Sequence, residues 1–139
     1  MVGPEGKKGG REGLAVVALL WLASLCDSVT MRKQMELGVL LELALESMKA
    51  DELSHITAGT VLLAAVAKQS QTKEKTVIVR AKALPVLLRV LGLHGCWAPC
   101  YACRALKELA DDKSLKDTVA HCGVFPPLFE VPAEPGPPP

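Results

Sequence analysis

The feature that most constrains this chain is that it repeats itself. Sliding the sequence along itself brings three stretches into register with a period near 43 residues. Ala15, Leu19, Leu22 and Ala23 stand where Gly59, Leu63, Val66 and Ala67 stand, and where Ala102, Leu106, Leu109 and Ala110 stand. Within each stretch the spacing is i, i+4, i+7, i+8, one face of an α-helix with a small residue at either end. A second series interleaves with the first: Gly38 onward (GVLLELALES), Lys82 onward (KALPVLLRVLG) and Gly123 onward (GVFPPLFEV). Here Val39, Leu40 and Leu43 correspond to Ala83, Leu84 and Leu87, and to Val124, Phe125 and Leu128. Pro85 and Pro126 share a position, which is compatible with a helix's first turn, where the amide has no intrahelical acceptor. Each copy therefore predicts a short helix, a Gly turn, a second helix, a loop and a long helix.

Composition agrees with helices throughout. The apolar half of the chain is mostly Leu, Val and Ala, with only five aromatic residues. Leu and Ala favour helix, whereas strands prefer β-branched and aromatic side chains. A formal charge of +1 disfavours both a basic nucleic-acid module and an acidic tail protein.

The series Gly123-Val-Phe-Pro-Pro-Leu, Ala83-Leu-Pro-Val-Leu-Leu-Arg-Val-Leu and Ala102-Cys-Arg-Ala-Leu-Lys-Glu-Leu-Ala resembles the armadillo repeat, from Leu14 to about Glu130. The resemblance implies an all-α fold, a short right-handed α-solenoid of three-helix units. Residues 1–13 are expected to be a flexible Gly-rich, charged arm, and 14–130 the helical domain. Within it lie an isolated third helix (about 14–26), two full repeats (about 28–69 and 73–111) and the start of another unit. Residues 131–139 are expected to be a Pro-rich, disordered tail. Such units bury their apolar faces only against neighbours, so unfinished ends imply a protein partner or self-association.

In armadillo proteins the third helices line a groove that binds peptides, often through an Asn on each. The matching positions here are Trp21, Ala65 and Glu108, and the chain contains no Asn. Val17, Val61 and Arg104 lie one turn earlier. These six residues are the expected partner-binding set. Without an amide to clamp a peptide bond, they suit an amphipathic helix or an apolar anchor better than an extended basic strand.

No catalytic constellation or cofactor fingerprint occurs, and neither an enzyme nor a cofactor is expected. Glu42 and Glu46 read as the solvated face of the second helix, with Val39, Leu40 and Leu43 on its buried face. Cys96, Cys100 and Cys103, with His94 nearby, are the metal candidates, but their spacing equally describes small buried hydrophobes, the preferred reading. Lys73, Lys75, Arg80, Lys82 and Arg89 form a basic stretch without interleaved aromatics, so nucleic-acid binding is not expected.

Leu14 to Cys26 is an unbroken apolar run after Lys7, Lys8 and Arg11. At thirteen residues it is short of the roughly 20 needed to span a bilayer, and no membrane association is expected. The layout also fits a signal peptide. A secreted protein cleaved near residue 26, with four remaining cysteines paired, is thus the rival to a protein of a reducing compartment, cytoplasm or nucleus. The odd cysteine count and the repeat favour the latter.

Overall fold

The structure, a computed structural model, describes residues 4–122, with side chains described from residue 13. All regular structure among them is helical: α1 (Pro4–Cys26), α2 (Val29–Gln34), α3 (Leu37–Met48), α4 (Leu53–Lys68), α5 (Thr72–Arg80), α6 (Ala83–Leu91), α7 (Ala98–Ala110) and α8 (Lys116–Ala120). α1 begins at Pro4, so the helix runs through most of the stretch expected to be an arm. Proline is compatible with that first position because its missing donor has no intrahelical acceptor to lose. The expected helix over Gly123–Glu130 and the tail from Val131 lie outside the described residues.

α4 is the centre of the molecule. It packs against α1, α3 and α7, while α6 packs against α3, α5 and α7. α4 is buried on almost every side because its apolar residues go most of the way round: Ile56, Ala58, Leu62, Leu63, Val66 and Ala67 are all within 2 % of full burial. Each large aliphatic among them contributes about 1.5–3 kcal/mol by leaving water. The helix comes close to α3 because Gly59 has no side chain. A Cβ there would lie 2.7 Å from Ser47 Cβ and 2.8 Å from the Ala44 carbonyl oxygen. The small residue at that repeat position is thus a packing requirement.

The register of the second helices differs from the expectation. α3 buries Leu40, Leu41, Ala44, Leu45 and Met48, whereas Val39 (49 %) and Leu43 (42 %) are exposed. α6 buries Ala83, Leu84, Leu87, Val90 and Leu91. Leu40, Leu41, Ala44 and Met48 therefore match Ala83, Leu84, Leu87 and Leu91, one residue away from the alignment built on Gly38. Gly38 misled because it is not a turn residue; it lies inside α3 with ordinary helical handedness, and a Cβ there would meet nothing. The left-handed conformation occurs instead at Lys82, which caps α6 at φ 65°, and at Gly95.

Polar ties join segments about one repeat apart. Buried Arg32 on α2 meets Glu74 on α5 at 2.6 Å and donates to the Met35 carbonyl at 3.3 Å. The other oxygen of Glu74 accepts from the Gln71 amide, capping α5. Gln69, just past α4, donates to the Asp27 carbonyl just past α1 (3.1 Å), so these two helices end side by side.

Candidate functional site

α1, α4 and α7 together line a groove of about 1090 Å³. Its concavity follows from side-chain size. The middle helix supplies Ala58, Ala64 and Ala65 with Val61, while α1 supplies Val16 and Leu20 on one side, and Tyr101 of α7 and its N-cap residue Trp97 form the other. A floor of alanines between walls of larger residues leaves a trough that is apolar along most of its length.

Charge is gathered toward the C-terminal ends of the helices, where Asp27, Lys68, Lys107 and Glu108 line the groove, with Arg104 further in. The Arg104 guanidinium sits 4.9 Å from the centre of the Tyr101 ring. A cation over an aromatic face is stabilised by about 0.5–1 kcal/mol when exposed, which holds the positive charge against the groove wall. Lys107 donates to Asp111 at 3.2 Å. That hydrogen bond, then the charges of Asp111 and Glu108, raises the ammonium's pKa. The hydroxyl of Thr57 donates to the Leu53 carbonyl at 2.7 Å, so it serves its own helix.

Of the six residues expected to bind a partner, Val61, Ala65, Arg104 and Glu108 line the groove, and Val17 and Trp21 do not. On α1 that role falls to Val16, Leu20, Ala23 and Ser24, with Asp27 just past its end. The buried stripe of this helix is Leu19, Ala23 and Cys26. At about 100° per residue, Trp21 stands about 200° from Leu19 and so points away from α4. It is 66 % exposed and Val17 is 65 % exposed. The run Leu14 to Cys26 is apolar all round, so its sequence carried no phase from which to choose between Leu20 and Trp21. Trp97 and Tyr101 were also missed. Both precede the repeat-matching segment of α7, but they stand 43 residues after Ser54 and Ala58, which line the same groove.

The metal candidates do not form a ligand set: among the described residues no group of three or more His, Cys, Asp or Glu side chains could hold an ion. Cys96 and Cys103 instead pack against the apolar core, and burial raises the pKa of the Cys103 thiol. Cys26 is fully buried with its sulfur 3.9 Å from Met35 Sδ. Burial pushes its thiol up, an effect partly opposed by the nearby Arg32 charge. In the basic stretch, Lys73, Arg80, Lys82 and Arg89 are exposed on α5, α6 and the turn between them. Glu42 and Glu46 are likewise exposed. Among the described residues no helix is long and apolar enough to cross a membrane.

Comparison with protein-family models, curated proteins and solved structures finds no match to this chain.

Proposed function

We propose that the chain is a short armadillo-like solenoid and that it acts as a non-enzymatic interaction scaffold, taking an apolar-anchored polypeptide segment in the groove of its third helices. Support for the solenoid comes from how the helices pack. α4 contacts α1 and α7, each about one repeat away, and α3 contacts α6, so like elements stack on like. The observation that carries the functional reading is the alanine-floored groove itself. Its length along α4, sixteen residues at 1.5 Å each, is about 24 Å, which accommodates four to five turns of a helix. Its apolar walls supply burial, and the charges at one end supply orientation.

The structure of α1 also bears on the rival reading. Leu19, Ala23 and Cys26 belong to the core, and cleavage near residue 26 would remove one groove wall and uncover α4. This favours retention of the segment.

Selecting 16-residue peptides from a random library on the immobilised chain tests the proposal. Enriched peptides should carry apolar residues at helical spacing, and their affinity should fall at least tenfold in Ala65→Arg, with helicity by circular dichroism unchanged. Failure to enrich any peptide, or equal affinity in Ala65→Arg, refutes it.

A further inference from the structure

We infer that the groove's partner is an acidic amphipathic helix: an Asp or Glu of the partner pairs with Arg104, and a large apolar residue three or four positions further on seats between Trp97, Tyr101 and Ala58. This rests on the groove being a polypeptide site. Three observations favour this occupant. The first is an uncompensated charge. Arg104 is exposed and lines the groove, and among the described residues its guanidinium enters no ion pair or hydrogen bond. Glu108, four residues on, is near enough along the helix to be its partner. The guanidinium nevertheless folds the other way, to 4.9 Å from the centre of the Tyr101 ring. The neighbouring cation Lys107 is already bonded to Asp111.

The second is geometry. A guanidinium over an aromatic ring is attracted through its flat face. Its N–H donors lie in its own plane and can take both oxygens of one carboxylate side by side. The contact with Tyr101 also limits the side chain's freedom before a partner arrives, so less entropy is lost on binding. The third is order along the groove. Trp97 and Tyr101 stand one turn apart on one wall, and Ser54 and Ala58, 43 residues before them, line the same stretch. Large walls over small residues suit a bulky apolar side chain. At the opposite end the C-termini of α1, α4 and α7 gather partial negative charge from their backbone carbonyls. A partner helix is therefore favoured with its N-terminus there, antiparallel to α4, and an acidic residue in its first turns is stabilised by its own dipole as well. Because Arg104 reaches back over Tyr101, the acid sits level with Tyr101. Trp97 lies four residues, about 6 Å, further along, where the anchor follows one turn later.

The 16-residue peptides selected on the full chain test this. Those that bind in an Ala65-dependent way should carry Asp or Glu three or four residues before a large apolar residue. In calorimetric titrations, replacing that acid by its amide should weaken binding to the wild-type chain at least about fivefold. The same replacement should cost less than about twofold on Arg104→Met, which keeps the apolar stem and removes the charge. Arg104→Glu should prefer Lys over Glu at that peptide position, with circular dichroism unchanged in both variants. Ala65-dependent peptides that lack the acid, that place it after the anchor, or that lose equally on wild type and Arg104→Met overturn the inference and leave the groove reading standing. Loss of Ala65 dependence, or failure to enrich any peptide, refutes the groove reading and the inference with it.

Discussion

Arg32 shows how a single buried charge joins two units of the chain. Its side chain is 5 % exposed, and Glu74, its partner, is 35 % exposed. Nε is buried without a hydrogen-bond partner, so the guanidinium depends on Glu74 and the Met35 carbonyl for its compensation. Removing the acid while leaving the base buried is the more damaging change. Glu74→Ala should destabilise by about 1–3 kcal/mol, whereas Arg32→Met, which removes the need for compensation, should stay within about 1 kcal/mol of wild type. Urea unfolding of both variants checks the asymmetry. Lys82 offers the opposite case, a residue in a conformation that suits another. At φ 65° and ψ 35° its backbone is left-handed, a region that costs an L-residue about 1–2 kcal/mol and glycine almost nothing. Lys82→Gly should raise stability by about 0.5–1 kcal/mol after allowing for glycine's freer unfolded chain, measured as a shift of the urea midpoint at unchanged m-value.

At the scale of helices, the decisive contact is α4 against α3. In Gly59→Ala the new methyl would press on the Ala44 carbonyl and the Met48 amide, which belong to the α3 backbone and cannot rotate aside. The better helix propensity of alanine returns only about 1 kcal/mol. Net destabilisation of about 1–3 kcal/mol is expected, visible as a lower thermal midpoint. The turn from α7 to α8 adds a pH-dependent element. Hydrogen bonds from the Ser114 and Thr72 side chains, and from the Ser114 amide, hold the Asp112 carboxyl below its usual range. Because the folded value is the lower one, its contribution is complete above the unfolded pKa of about 3.9 and is lost as pH falls through the folded value. Stability should decline on acidification below about pH 5, less steeply in Asp112→Asn, as read from urea midpoints between pH 3 and 7. The sequence displayed these helices well because period and composition both point to helix. Which face turned inward was harder to read. In α3, Val39 and Leu43 are as apolar as their buried neighbours, and Gly38 looked like a turn residue, so the one-residue shift became visible only once the packing against α4 and α6 was known.

For the whole molecule, the repeat made the middle and last of the groove's helices legible. Val61, Ala65, Arg104 and Glu108 were reached by carrying the groove positions implied by the armadillo resemblance along the repeat, and they fall together because α4 and α7 keep a constant 43-residue relation through Ala58 and Tyr101, Val61 and Arg104, and Ala65 and Glu108. α1 resisted because, among the described residues, it packs chiefly against α4. Leu14, Val17 and Trp21 are exposed opposite its buried stripe, and such a helix shows no polar face to mark which side is which. The central claim is that the trough between α1, α4 and α7 receives a polypeptide, and mapping backbone amide shifts on the ¹⁵N-labelled full chain with a selected peptide tests it most directly. The shifts should concentrate on Leu20, Ser24, Thr57, Val61, Ala65, Tyr101 and Arg104 and leave α2 and α5 unmoved. Shifts confined to Leu14, Val17 and Trp21 on the outward side of α1, with the trough residues unchanged, would contradict it.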